Sequence, residues 1–380
     1  MSVRLCYSFE HNDHAAYPRS LVQVPPPGWS YRPARIRFDE ARGRPWAHFD
    51  AMPGEIIHAS SLIPTNDCPF VFDTDHAEYL VLQSDVQRFG SRSAVERELV
   101  AALSSPLCLR LIAWSEAARE SLLELFARQA VKPPRIDVLF PCVTPPHSDD
   151  DRNQSRDTLV DPNEAADERY LTGLRNLPTP GLVRLLIVDG QIGVCNSPSR
   201  KNVRDAVRCF RELRRRDLPV ELVIVGSAEP VPAEPGIVAL PALRRSTLWK
   251  LYQLVDVLLY LSRQDSFGFV LMEAMFHGLA CVAGQARSAP ALRELIQDGL
   301  SGYLVPFRDD RPFPELSDGL DEERLHEVVH RLVVDPEVRK RLRGECRALF
   351  APGGAFSIEL RDQRLARALQ LEPQSQVSMA

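Results

Sequence analysis

Short, nearly uninterrupted apolar runs alternate along the second half of this chain with stretches of helical spacing. Residues 182–188 (LVRLLIV), 220–226 (VELVIVG), 257–261 (VLLYL) and 279–283 (LACVA) are brief and almost wholly apolar. Runs of that kind mark parallel strands buried on both faces. Helical spacing predicts helices over 203–215 and 246–252. A further helix carries Phe267, Val270, Leu271, Ala274 and Met275 on one face and closes at Gly278. A helix over 290–297, an Asp298-Gly299 turn and a strand at 303–305 complete the pattern. Strand and helix in alternation predict a doubly wound α/β fold.

The first half follows the same rule more loosely. Strands are expected at 2–9, 55–60, 69–72, 109–113 and 135–140, with helices over 93–103 and from Trp114 onward. The stretch after the first strand, with His11, His14 and Val24-Pro25-Pro26-Pro27-Gly28, reads as an arginine-rich loop. Residues 148–180 are polar and acid-rich, a linker with room for one short helix. Beyond Pro306 come helices over 322–334 and 337–349, a break at 351–355, a helix over 356–371 and a tail. These signals divide the chain into a first domain at 1–147, a linker at 148–180, a second domain at 181–355, a C-terminal helix at 356–371 and a tail at 372–380. A length of 380 residues suits two cores.

Composition narrows the functional classes. A hydrophobic fraction of 44% and a charged fraction of 26% are those of a globular protein, and a net charge of −5 argues against a nucleic-acid partner. No apolar run has the length of a membrane span and no signal-peptide core opens the chain, so a cytoplasmic protein is expected, with peripheral membrane association left open. The eight cysteines form no CxxC pair and read as reduced, mostly buried thiols. All but four of the 46 basic residues are arginine; the lysines are Lys132, Lys201, Lys250 and Lys340. A lysine at a phosphate-binding position is therefore a pointed choice.

The chemistry concentrates where the 257–261 strand gives way to its helix. Ser266, Phe267, Gly268 and Phe269 sit at a helix start, where backbone N–H groups lack intrahelical partners and the dipole favours an anion. Gly268 is expected to let a ligand approach the main chain. Asp265 and Glu273, eight positions apart, bracket this seat and can accept hydrogen bonds from sugar or ribose hydroxyls. An anion seat with polyol acceptors suggests a nucleotide sugar.

Asp265-x₇-Glu273 around Phe267-Gly268, followed by Glu273-Ala274-Met275, resembles the donor-binding core of the retaining glycosyltransferases of family 4. That family carries Glu-x₇-Glu, so Asp265 is a departure that shortens the reach to the sugar. The resemblance implies a GT-B fold, two Rossmann-like domains with parallel sheets facing across a cleft. It implies a nucleotide-diphosphate sugar as donor, a small-molecule or glycan acceptor, and no metal or other cofactor. Lys201 takes the place of the family's diphosphate-clamping lysine. The arginine that normally follows the strand's glycine is absent, since Gln191 follows Gly190, and Arg200 is the available substitute. The family's Gly-Gly loop after the first strand is also absent. His76 corresponds to the histidine that orients the donor sugar, with a capping or core histidine as the alternative. By the same resemblance Asp265 holds sugar hydroxyls, Glu273 holds the ribose, and the leaving phosphate deprotonates the acceptor.

Two short motifs compete. Asp73-Thr74-Asp75 matches the metal-binding Asp-x-Asp of the other glycosyltransferase fold, although Asp75 could equally stabilise a helix start. His326-Glu327-Val328-Val329-His330 matches the zinc motif His-Glu-x-x-His. The apolar stripe Leu325, Val328, Val329 and Leu332 leaves those polar groups at a helix margin, and Arg331 sets a cation beside the second histidine. A surface helix is the preferred reading. The functional expectation is a retaining glycosyltransferase, against a non-catalytic nucleotide or sugar binder on the same fold, and behind both a zinc-dependent hydrolase.

Overall fold

The structure, a computed structural model, describes residues 3–8, 21, 23–43, 45–146, 164–175, 181–189, 200–227, 230–312 and 315–369. His11, His14, Gly190, Gln191 and the tail lie outside the described residues. The chain divides into two compact units, residues 1–144 with 352–380, and residues 145–351.

The first unit is built on strands β1 (Val3–Ser8), β2 (Trp29–Ala34), β3 (Ile36–Phe38), β4 (Trp46–Phe49), β5 (Ile56–Ser60), β6 (Ile63–Pro64), β7 (Phe70–Thr74), β8 (Cys108–Ala113) and β9 (Ile136–Val138). Six of them form a sheet in the order β2-β1-β5-β7-β8-β9, parallel throughout. The other three make a small sheet, β3-β4-β6. Helices α1 (Gln83–Phe89), α2 (Arg92–Leu103) and α3 (Glu116–Arg128) follow β7 and β8. Ser91 and Ser115 cap α2 and α3, each accepting from a backbone N–H three residues on. The stretch expected as an arginine-rich loop contains strands at its far end, β2, β3 and β4. β2, which contains Pro33, lies at the sheet edge, where a proline is tolerated because one side of the strand has no ladder to break.

The second unit opens with α4 (Glu164–Arg175), within the expected linker, whose Leu171 and Leu174 are buried. Its strands are β10 (Val183–Val188), β11 (Val220–Val225), β12 (Ile237–Leu240), β13 (Val257–Tyr260), β14 (Ala280–Gln285), β15 (Tyr303–Asp309) and β16 (Asp318–Leu320). Helices α5 (Val203–Arg215), α6 (Arg245–Leu251), α7 (Phe269–Phe276), α8 (Leu292–Leu295), α9 (Glu322–Val334) and α10 (Pro336–Phe350) complete the unit. Sheet order is β12-β11-β10-β13-β14-β15-β16, all parallel except the last pair. This is the doubly wound order 3-2-1-4-5-6 with one antiparallel strand added. The chain steps outward one way from β10 and the other way from β13. The carboxyl ends of those two neighbours therefore form the topological switch point, where connecting segments part and leave a crevice for a ligand.

Helix α11 (Ile358–Ala368) returns to the first unit. Its buried Arg361 donates to the Val24 carbonyl at 2.5 Å, and Phe356 packs on Phe140.

One polar network is sealed inside the first unit. Asp73 Oδ2 meets His58 Nε2 at 2.6 Å, while Oδ1 accepts from Ser60 at 2.5 Å and from the Trp114 indole at 3.0 Å. Tyr31 Oη meets the other ring nitrogen of His58 at 3.1 Å. Neither Asp73 nor His58 has any exposed surface. Asp73→Ala leaves three buried groups without this partner at about 1–3 kcal/mol each. We expect the unfolding free energy of this unit to fall by more than about 3 kcal/mol, measured by chemical denaturation.

Candidate functional site

Lys201, just before α5, and Asp265, in the loop after β13, lie on either side of the switch point and meet there. Lys201 Nζ donates to Asp265 Oδ2 at 2.8 Å and to Tyr260 Oη at 2.9 Å. Tyr260, the last residue of β13, donates its own hydroxyl to the same carboxylate oxygen. The Lys201 ammonium lies 4.4 Å from the centroid of the Tyr260 ring. Asp265 Oδ1 accepts from the Phe267 N–H at 3.1 Å, and the Asp265 N–H donates to Ser288 O at 3.0 Å, which fixes the loop.

Electrostatics follow from burial. Lys201 is 7% exposed, and burial lowers its ammonium pKa, offset in part by the charge of Asp265. Burial alone would raise the Asp265 carboxyl, but the charges of Lys201 and Arg200 and the hydrogen bonds from Lys201 and Tyr260 bring it down to about 2. Burial and then the Asp265 charge push the Tyr260 phenol well up. Asp265 is thereby held as a carboxylate beside a phenol whose ionisation is suppressed.

The helix start beside it is as the sequence suggests in place, though not in cause. Helix α7 begins at Phe269 with Gly268 as its N-cap residue, at φ 100°. Gly268 is buried, and a Cβ there would lie 2.7 Å from Leu292 Cδ2. A left-handed backbone and the approach of α8 both require glycine here. Ser266 and Phe269 are half-buried, and Phe269 stacks at a tilt on the buried Phe267 ring, 5.1 Å between centroids. Arg200 is half-buried; its carbonyl accepts from the Arg263 N–H at 2.8 Å.

Glu273 lies four residues into α7 and is buried. Its Oε1 accepts from Arg245 Nε at 2.7 Å and its Oε2 from Tyr252 Oη at 3.3 Å. The expected ribose acceptor is thus held by a buried cation from α6. Arg245 and Tyr252 were not anticipated, and nothing in their local sequence marks them. Tyr260 did leave a signal, as a polar-tipped ring ending an otherwise aliphatic strand.

His76 belongs to the first unit. It is the N-cap of a 3₁₀ turn (Ala77–Leu80), with Nδ1 accepting from the Glu78 N–H at 3.3 Å. The capping alternative weighed for it is realised. Asp75 Oδ1 accepts from the His76 N–H at 2.9 Å, and Asp73 faces the sealed network, so the Asp-x-Asp pair does not converge. On α9, Glu327 accepts from Arg324 at 2.9 Å. Among the described residues no group of three His, Cys, Asp or Glu is arranged around a metal position, the seven cysteines are free thiols, and no helix is long and apolar enough to cross a membrane.

Residues 190–316, which carry Lys201, Tyr260, Asp265 and Glu273, match the family model described as glycosyl transferases group 1. Over 63 residues, 17% of either chain, the protein is 44% identical to an uncharacterized 41.2 kDa protein in the cps region of Klebsiella pneumoniae. Over 128 residues, 31% of this chain and 32% of the relative, it is 28% identical to the N-acetyl-alpha-D-glucosaminyl L-malate synthase of Bacillus anthracis. The matches thus span a third or less of these relatives. Likeness of fold extends further: Anabaena Alr3699/HepE, crystallised in complex with UDP, is similar over 97% of this chain and 99% of that one, with a TM-score of 0.57 at 14% identity. The matched segment is similar to group 1 glycosyltransferase domains, and the fold is GT-B.

Burial holds two imidazoles neutral. His76 and His277 are each pushed down to about 4 from a usual value near 6.5, in His277 with help from the Arg347 charge. Because only the unfolded chain takes up these protons between about 6.5 and 4, the stability they contribute is whole above about 6.5 and is lost as pH falls toward 4. His76→Gln and His277→Gln are each expected to flatten the decline in unfolding free energy over that window, followed by urea denaturation at stepped pH.

Proposed function

We propose that this protein is a retaining glycosyltransferase of family 4, a hexosyltransferase acting in the cytoplasm without a metal cofactor. It moves a glycosyl unit from a nucleotide-diphosphate sugar to a small-molecule or glycan acceptor. The observation that carries the reading is the meeting of Lys201, Asp265 and the α7 start at the switch point of a group 1 domain. The UDP bound by the Anabaena neighbour supports a nucleoside diphosphate as the leaving group.

In this reading the diphosphate displaces the Asp265 carboxylate from Lys201. The ammonium, Arg200 and the N–H groups around Ser266 to Phe269 then stabilise the charge that grows as the glycosidic bond breaks. Asp265, released, accepts from hydroxyls of the donor sugar. The acceptor oxygen attacks the same face, and its proton passes to the leaving phosphate. His76, whose Nδ1 accepts from the Glu78 N–H, orients the donor sugar in this reading. Glu273 holds the ribose beside Arg245.

UDP is expected to raise the melting temperature, and Lys201→Ala to lower kcat about 10²-fold, as for loss of one transition-state donor. Product of inverted configuration by NMR would overturn retention. Glu273→Gln removes the carboxylate charge to which Arg245 donates, a cost of about 3 kcal/mol in stability. The ribose role requires weaker UDP binding in addition, read by calorimetry on the folded variant.

A second reading, binding without transfer, draws on the same geometry, because both expected hydroxyl acceptors are already held by cations. Donor turnover, as hydrolysis or transfer, decides between the two.

A further inference from the structure

Tyr260 touches every part of the switch-point site. Its hydroxyl accepts from Lys201 and donates to Asp265, its ring lies under the ammonium, and its Cε1 lies 3.7 Å from where a Gly268 Cβ would be. It is 3% exposed and stands on a central strand rather than a loop. The other two members stand on connecting segments from opposite sides of the switch point. Asp265 has a single methylene, and the phenol fills the space beside its carboxylate.

We infer that Tyr260 is the positioning residue of this site, a rigid hydroxyl that bonds to both the Lys201 ammonium and the Asp265 carboxylate and keeps the ammonium charged and aimed when the carboxylate turns to another ligand. The inference rests on the donor-diphosphate reading for its consequence in turnover, but not for its effect on Lys201. Once a diphosphate draws the cation, the phenol oxygen remains as an acceptor that does not move with the loops. Without it the lysine loses a polar neighbour in a buried setting where the charged form is already disfavoured. The charged groups facing Lys201 are Asp265 from the loop after β13, Arg200 beside it in sequence, and Asp189 at the end of β10. Tyr260→Phe leaves all three in place.

Four lysines make the test direct. In protein labelled with [13C]lysine the Lys201 ε-carbon is assigned by its loss in Lys201→Arg and titrated by NMR. Two variants are made together, Tyr260→Phe, which removes the hydroxyl alone, and Tyr260→Leu, which also removes the ring; a fold in either suffices. The Lys201 titration is expected to move down by about one pH unit, the worth of one hydrogen bond to a charged group. The alkaline limb of kcat should move with it, while the donor KM changes less than kcat. An unchanged Lys201 titration in a folded variant overturns the inference, whatever its melting temperature. Absence of UDP binding and of donor turnover in the parent protein would instead overturn the proposed function, and the lysine titration would still decide the role of Tyr260.

Discussion

A buried ion pair at the reversal of strand order is the constraint around which the second unit is arranged. Taking an ammonium and a carboxylate out of water costs several kcal/mol for each ion, and mutual attraction offsets this only when the remaining donors and acceptors are satisfied. Tyr260 and the Phe267 N–H supply those partners here. The pair ties the segment before α5 to the loop before α7, so the two connections that part at the switch point are joined by charge. A ligand that enters must therefore offer Lys201 a negative group at least as good as the one it replaces. A diphosphate meets that demand better than a neutral sugar would.

The first unit shows the contrasting use of a carboxylate. Asp73, on β7 and with no exposed surface, has His58 and Ser60 from β5 and Trp114 from just after β8 around it. Such a network fixes how the strands of the sheet register near their carboxyl ends. The next residues along, Asp75 and His76, form the turn that leaves the sheet. A short acidic motif in sequence thus separates in space into one residue that holds the sheet and one that shapes the loop.

The fold was legible where burial on both faces leaves an aliphatic run. β10 and β11 lie within a residue of their expected bounds, and helices α5 and α9 begin and end where the spacing places them. Edge elements were not legible. β2 is half-buried or exposed at every position but Ala34 and contains a proline and an arginine, so its pairing with β1 leaves no apolar signature. The site was half legible. Residue types at the helix start pointed to an anion seat, but the distance between Lys201 and Asp265, 64 positions apart, is a product of strand order and not of spacing. The structural demand on Gly268 was not legible, because a glycine demanded by φ and by a neighbouring leucine looks the same in sequence as one left open for a ligand. Glu273 gave no hint of Arg245, whose approach depends on how α6 lies beside α7.

Helix α11 has a consequence for how the protein is made. Residues 352–368 complete the first unit, with Arg361 buried against the Val24 carbonyl and Phe356 against Phe140. On the ribosome those residues emerge after the whole of the second unit. The amino-terminal half must wait, incomplete, while the portion translated later closes its own core. The order of maturation is thereby the reverse of the order of synthesis.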